Sequence, residues 1–308
     1  MLNGLKNLGN TCYMNAALQI FLNCKPFNDK LLKYKKECKC ELFRSYIKLV
    51  KEYSSCNGSV ICPSNFKNII NKRFEIFQNC RQEDSDEFIT FFINGIVDDL
   101  EKCGVCIKSN KEKNVLGRDV INNVIGVNTT ILTETLDDKD GLYHIEKTKD
   151  YKLCLELDPS ECDEYLENLI IKHLKSEKIG IVKFNIDNDE KKGTVCHEAK
   201  RTIKIDKLSQ CLIIYLGRYR EIMKRNRFSY QKLNNKIITP QTIKSGEYNY
   251  HLKSFAIHSG SSNGGHYFSF VNNDKQWYCL DDSSCTMVST ENALDMAMHA
   301  YIICYEIS

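Results

Sequence analysis

The feature that most constrains the fold is a change of period along the chain. Through the first third, apolar residues recur at helical spacing; further on they alternate as strand residues do. After Asn10-Thr11, either of which is a natural helix cap, Tyr13, Ala16, Ala17, Ile20, Phe21 and Cys24 form one helical stripe. The same pattern covers about 29–53 and 64–73. It returns from Asp84 through Phe88, Phe91, Phe92, Ile96 and Leu100 to about Cys103. The charged tract Lys108 to Lys113 reads as a loop, 120–136 as a β-branched strand region and 137–141 as a turn. Residues 151–157 alternate, and 159–175 reads as a helix started by Pro159 and Ser160. Strands are expected at 179–186, 199–205, 212–216, 251–258, 267–271, 277–280 and 300–307. The lysine-rich stretches 33–39 and 219–236 read as solvated faces or loops. Helices followed by mostly antiparallel strands, with no repeat or low-complexity linker, define an α+β class.

Composition narrows the function classes. The 308 residues carry 43 Lys+Arg against 40 Asp+Glu, and a net +3 gives no field of the kind that gathers nucleic acid. No N-terminal apolar segment resembles a signal peptide, and the longest apolar run, Cys211 to Leu216, is far too short to span a membrane. The sixteen cysteines are therefore expected inside the cell, in cytoplasm or nucleus, where a disulfide framework does not persist. They must serve as packing residues, metal ligands or nucleophiles.

A cysteine nucleophile needs a lowered pKa, a base within reach and donors for an oxyanion. Cys12 stands at the start of a helix, where free backbone N–H groups favour a thiolate. Gly4, Asn7, Gly9 and Asn10 before it can make a tight loop. A packed core cysteine is the plain alternative. Of seven histidines, His266 stands out, because Gly264-Gly265 precede it and a strand follows; a simple hairpin turn explains the glycines equally well. His258 would lie near the same turn. Asp281-Asp282, after Trp277-Tyr278-Cys279-Leu280, can deliver a carboxylate to His266, or be an ordinary solvent turn. In Arg81 to Phe88, Asp84 and Glu87 share a helical face; capping explains both, yet an exposed acidic cluster would also suit a basic peptide.

Together these segments resemble a known family. Gly4-Leu5-Lys6-Asn7-Leu8-Gly9-Asn10-Thr11-Cys12-Tyr13-Met14-Asn15-Ala16-Ala17-Leu18-Gln19 resembles the Cys box of the ubiquitin-specific proteases. The run from His258-Ser259-Gly260 through Gly264-Gly265-His266-Tyr267 and Trp277-Tyr278 to Asp281-Asp282 resembles the His box. Gln82 to Phe88 resembles the acidic motif between them, with Glu83 and Ser85 in place of the usual Gln and Ala. Tyr301 to Tyr305 resembles the closing strand. The resemblance implies a papain-like cysteine protease: a single catalytic domain over 1–308, with a helical thumb (about 1–115) followed by β fingers and an antiparallel β palm (about 116–308). It implies Cys12 as nucleophile, His266 as base and Asp281 as its orienter, with Asp282 assisting or replacing Asp281. Asn7 and the Cys12 N–H would form the oxyanion hole. Gln82 and Asp84 would meet the basic tail of ubiquitin, while Gly265 and Tyr267 line the channel for its Gly-Gly. The implied partner is ubiquitin or a ubiquitin-conjugated protein, with no nucleic acid, membrane or cofactor. A protease for another ubiquitin-like modifier and an inactive ubiquitin-binding scaffold are the alternatives.

Many members hold a structural zinc in the fingers on two Cys-x-x-Cys pairs. At the corresponding places this chain reads Val127-Asn128-Thr129-Thr130 and Asn185-Ile186-Asp187-Asn188, so no metal is expected there. Cys103-Gly104-Val105-Cys106 and Cys38-Lys39-Cys40 are the remaining pair-like motifs, and either one alone falls short of the four ligands that structural zinc takes.

Overall fold

The first helices form where the apolar period places them. In the computed structural model, which describes residues 1–79, 81–104, 117–136, 141–159, 163–224, 227–261 and 264–307, the chain begins with β1 (Gly4–Leu5), α1 (Cys12–Leu22), α2 (Lys25–Leu32) and α3 (Glu41–Ser55). Next come β2 (Val60–Ile61), α4 (Ser64–Arg73), α5 (Ser85–Lys102) and α6 (Gly117–Ile125). All eleven residues of α1 are buried, as befits a helix enclosed on every side. Around it, Phe21, Phe27, Tyr46, Phe66, Phe88 and Phe92 meet ring against ring. At about 1.5–3 kcal/mol for each large side chain removed from water, this cluster outweighs the exposed ion pairs, such as Lys25–Asp29, whose attraction water and salt screen.

The second part of the chain is mostly strand. It contains β3 (Val127–Thr135), β4 (Tyr143–Asp150), β5 (Leu153–Glu156), β6 (Glu164–Tyr165), α7 (Leu166–Leu174), β7 (Glu177–Asn185), β8 (Thr194–Leu208) and β9 (Cys211–Gly217). There follow β10 (Tyr219–Lys224), β11 (Arg227–Lys232), β12 (Ile237–Ile238), β13 (Thr242–Ser245), β14 (Tyr248–Ser261) and β15 (Gly264–Asn273). The chain closes with β16 (Gln276–Asp281), β17 (Ser284–Val288), α8 (Thr290–Ala297) and β18 (Ile302–Ile307). Eight of these strands make the principal sheet, in the order β17-β16-β15-β14-β18-β9-β5 with β13 also on β14. Its pairs are antiparallel except β5 with β9. Strand alternation sends Cys211 and Ile213 into the helical core and Leu212 and Ile214 into a second core under α7 and α8. A separate antiparallel sheet, β4-β3-β8-β7, leaves Tyr143, Ile145 and Ile181 exposed.

Some expectations need correction. Residues 120–136 do not form one strand region, because α6 takes the first part and β3 only the second. Val120, Ile121, Val124 and Ile125 are buried at helical spacing, and their packing overrides β-branched propensity. The helix expected over 159–175 begins only at Leu166, after β6 has paired with β12; its expected start at Ser160 lies outside the described residues. Of the two readings offered for 219–236, solvated face holds and loop does not over 219–232, where β10 and β11 pair as strands whose described side chains are exposed or half-buried. The sequence reading also missed α8, whose Ser289 cap accepts from the Asn292 N–H at 3.1 Å. The tracts 108–113 and 137–140 lie outside the described residues. No helix among the described residues is long and apolar enough to cross a membrane.

Candidate active site

Cys12 is the first residue of α1, and α1 lies against β15, the strand that carries His266. The loop before Cys12 turns through left-handed backbone at Gly9 (φ +95°) and Asn10 (φ +53°). Asn7 fastens that turn, its Oδ1 accepting from the N–H of Gly9 (2.9 Å) and of Thr11 (3.1 Å). Thr11 supports it in turn, its hydroxyl accepting from the Leu8 N–H at 2.8 Å. Helix entry is thus set by side chains that serve the loop; Thr11 itself makes no side-chain cap bond to α1.

The hairpin of β14 and β15 carries the base. Ser259 pairs with His266 and Gly260 with Gly265, so both glycines of the motif lie in the ladder. A Cβ on Gly265 would sit 2.2 Å from the Ser259 carbonyl oxygen and 2.4 Å from the His258 Nε2. Only glycine fits at that spacing. The hairpin reading of Gly264-Gly265 is therefore correct, and the same hairpin places His266 at the head of β15. His266 Nε2 meets the Asp281 carboxylate at 2.5 Å, which leaves Nδ1 as the nitrogen able to exchange a proton.

Asp282 does different work from its neighbour. Its φ of +47° ends β16 and turns its side chain toward the Cys12 loop. There it accepts from Asn7 Nδ2 at 2.8 Å and from Asn15 Nδ2 at 2.7 Å. Asp281 therefore orients the imidazole, and Asp282 holds the amide expected at the oxyanion hole. Donor atoms of His266, Asp281 and Asp282 lie within 4.8 Å of one another, close enough for a metal ion. The hydrogen bonds just described already engage all three.

The environment of Cys12 corrects one expectation. Burial pushes its thiol pKa up, the Asp282 charge adds to this, and the Tyr267, Tyr13 and Cys12 N–H groups pull the other way. The net direction is upward, so the helix terminus alone does not lower the thiol's pKa. The Tyr267 N–H near the sulfur belongs to the residue directly after His266, which brings the imidazole's strand to the nucleophile.

Cys12 opens onto a cleft of ≈ 590 Å³ shared with Gln82, Asp84, His258, Gly265 and Tyr267. All five residues expected at the substrate channel are thus brought together, though not always in the expected roles. Gln82 binds the protein's own backbone, donating to the Gly265 carbonyl at 2.8 Å and accepting its N–H at 2.9 Å. Asp84 caps α5 through the N–H groups of Asp86 and Glu87. Its other oxygen accepts from Tyr267 (3.1 Å) and Tyr301 (2.7 Å) hydroxyls. His258 is buried against the Tyr219 hydroxyl, which bonds its Nδ1, and burial together with the Lys232 charge pushes its pKa down to about 4. It is a neutral wall of the cleft.

Sequence reasoning missed part of this lining. Tyr215, Tyr219 and Tyr301 form an aromatic wall; Glu83 and Glu87, from the acidic segment already singled out, add carboxyls whose pKa values burial raises. No local signal separates those tyrosines from core residues. Asn15 was findable, as a polar residue three places after Cys12 in a helix otherwise ready for burial.

The finger positions do not fit a zinc ion. Val127 to Thr130 lie on β3, Asn185 ends β7 and 186–188 follow it, and neither segment carries a thiol or an imidazole. No disulfide joins any described cysteine.

Comparison with known proteins agrees with the geometry. A family model described as ubiquitin carboxyl-terminal hydrolase matches residues 3–305. The chain is 27% identical over 354 residues to ubiquitin carboxyl-terminal hydrolase 4 of Arabidopsis thaliana, covering 98% of this chain and 92% of that protein. It is 25% identical over 348 residues to ubiquitin carboxyl-terminal hydrolase 2 of Homo sapiens, covering 100% of this chain and 55% of that protein. Among solved structures, the SAGA Ubp8/Sgf11/Sus1/Sgf73 DUB module bound to ubiquitin aldehyde superposes with a TM-score of 0.79. That match has 20% identity and covers 100% of this chain and 70% of the other, which speaks to the α+β fold alone.

Proposed function

Because the chain belongs to the ubiquitin carboxyl-terminal hydrolase family, we propose that the cleft at Cys12 cuts the peptide or isopeptide bond after the C-terminal Gly-Gly of ubiquitin. The enzyme is a ubiquitin-specific cysteine protease, and Cys12, His266 and Asp281 are the groups to which the chemistry is assigned. The observation that carries the assignment is the pairing of His266 on β15 with Asp281 on β16, together with the Tyr267 N–H, next along β15, that approaches the Cys12 sulfur.

Because burial raises the Cys12 thiol's pKa, His266 is given the role of general base. Its Nδ1 takes the Cys12 proton as sulfur attacks the glycine carbonyl carbon. The oxyanion meets the Cys12 N–H, which has no acceptor within the first turn of α1, and the second hydrogen of Asn7 Nδ2. Asp282 holds the first hydrogen of that amide and so fixes its direction. The imidazolium then protonates the departing lysine amine, leaving a thioester. Water, deprotonated by His266, attacks the thioester; the tetrahedral adduct collapses and Cys12 leaves, regaining its proton.

Substrate recognition follows the same cleft. The narrow passage at Gly264 and Gly265, held by Gln82, suits a diglycine that brings no Cβ. Since Asp84 is spent on the α5 cap and two tyrosines, Glu83 and Glu87 are the carboxyls left to meet a basic ubiquitin tail. At the lip, Tyr230 lines the cleft, while Met223 and Phe228 of the same β10–β11 hairpin stand exposed as apolar contacts for a folded substrate. The chain acts as one catalytic domain, in cytoplasm or nucleus, and needs neither nucleic acid nor membrane.

Ubiquitin carrying a C-terminal electrophile tests the assignment. Intact-mass analysis is expected to show one adduct on the wild type and none on Cys12→Ser. No adduct, an adduct on the variant, or labelling only by a different ubiquitin-like modifier would sink it.

A further inference from the structure

The cysteines that the catalytic mechanism leaves unused are not scattered. Cys38 and Cys40 precede α3, and Cys103 ends α5 more than sixty positions later. Their sulfur atoms all lie within 4.8 Å of one another. Cys40 and Cys103 approach to 3.4 Å, far beyond a disulfide bond of about 2.05 Å. Four sulfurs around a zinc ion at about 2.3 Å would lie about 3.8 Å apart, so the observed separations bracket those of a tetrahedral thiolate site. Cys38 is fully buried, while Cys40 and Cys103 are half-buried, leaving an approach from solvent.

The surroundings suit thiolates and a cation. The Lys39 N–H donates to the Cys103 sulfur at 3.4 Å, and such N–H groups stabilise bound thiolate. Cys40 is the N-cap residue of α3 but its sulfur makes no cap bond, so the helix terminus does not compete with a metal ion for it. Cys103 is the C-cap residue of α5, where free carbonyl groups favour a nearby cation. None of the three lines the catalytic cleft.

We propose that Cys38, Cys40 and Cys103 form a zinc site, with water in the fourth position, that pins the α2–α3 connection to the end of α5. The two motifs that each fell short alone thus combine, at a place remote from the finger positions. Binding releases one proton from each thiol to solvent and changes no oxidation state. Three donors are placed; Cys106, three residues beyond Cys103 in the sequence, lies outside the described residues and is not counted. The other cluster of this kind, Cys24, Cys211 and Glu306, serves as the control.

The test uses the full chain with Cys12→Ser, so that the catalytic thiol contributes nothing. Reduced protein reconstituted with Zn²⁺ and desalted is expected to retain one equivalent by elemental analysis. The added pair Cys40→Ser and Cys103→Ser should lower that at least tenfold, whereas Cys24→Ser with Cys211→Ser should leave it unchanged. Should the first pair fail to fold, alkylation of the parent chain decides: bound zinc should slow labelling of Cys40 and Cys103 at least tenfold, and a chelator should restore it. Substoichiometric zinc, equal labelling with and without zinc, or loss of metal only with Cys24 and Cys211 overturns the proposal.

Discussion

Two adjacent carboxylates show how much a single dihedral decides. Asp281 ends β16 and faces His266; Asp282, at φ +47°, faces Asn7 and Asn15. If Asp282 acts by holding Asn7, Asp282→Ala should lower kcat on a ubiquitin C-terminal fluorogenic adduct by about a hundredfold, comparable to losing an oxyanion donor. The double variant with Asn7→Ala should be scarcely slower than either single one, and multiplied losses would show that Asp282 acts elsewhere. Gly265 is the other residue fixed by contact: Gly265→Ala places a methyl group within 2.4 Å of His258 and should cost about 1–3 kcal/mol of stability, measured by urea unfolding. An unchanged midpoint would contradict the close packing. Cys12, His266 and Asp281 were legible as residues, since their neighbours in sequence carry their pattern. The actual partners of Gln82, Asp84 and Asp282 were not, because they lie 183 to 275 positions away.

At the scale of elements, one buried side chain ties three helices. Asp99 of α5 accepts the N–H of Phe43 in the first turn of α3 at 2.9 Å and also binds Arg73 at the end of α4. It satisfies a helix-terminal donor and a guanidinium together. Asp99→Ala should therefore destabilise by about 3–5 kcal/mol, as when one member of a buried ion pair is removed. Urea unfolding reads this directly, and a loss below about 1 kcal/mol would mean that solvent already serves both partners. Helices with a broad apolar stripe, such as α1 and α5, were readable from sequence. Helix α6 was not, because its β-branched content argues for strand and only its packing on α2 and α5 settles the matter.

Across the molecule, the principal sheet joins both cores and carries a titrating group on its inner strand β18. Burial pushes Glu306 up to about 8, with the Cys24 charge adding to this and Lys253 opposing it. The folded chain keeps a proton that the unfolded chain releases above its ordinary value near 4.5. Stability from this group is full below that value and is lost as pH rises toward about 8, at up to about 1.4 kcal/mol per pH unit. Glu306→Gln should remove that slope, so its stability relative to wild type grows from pH 5 to pH 8. Parallel urea-unfolding stabilities across that range would refute the assignment.

The sequence by itself determined the α+β order, the helix that Cys12 begins, the histidine hairpin and the family, because period and motif are local properties of the chain. Tertiary structure alone decided which oxygen meets which amide, that burial raises the Cys12 thiol's pKa, that Asp84 is occupied by its cap and two tyrosines, and that three cysteines meet. Those outcomes depend on burial and on distances between segments far apart in the chain, and no local pattern encodes either.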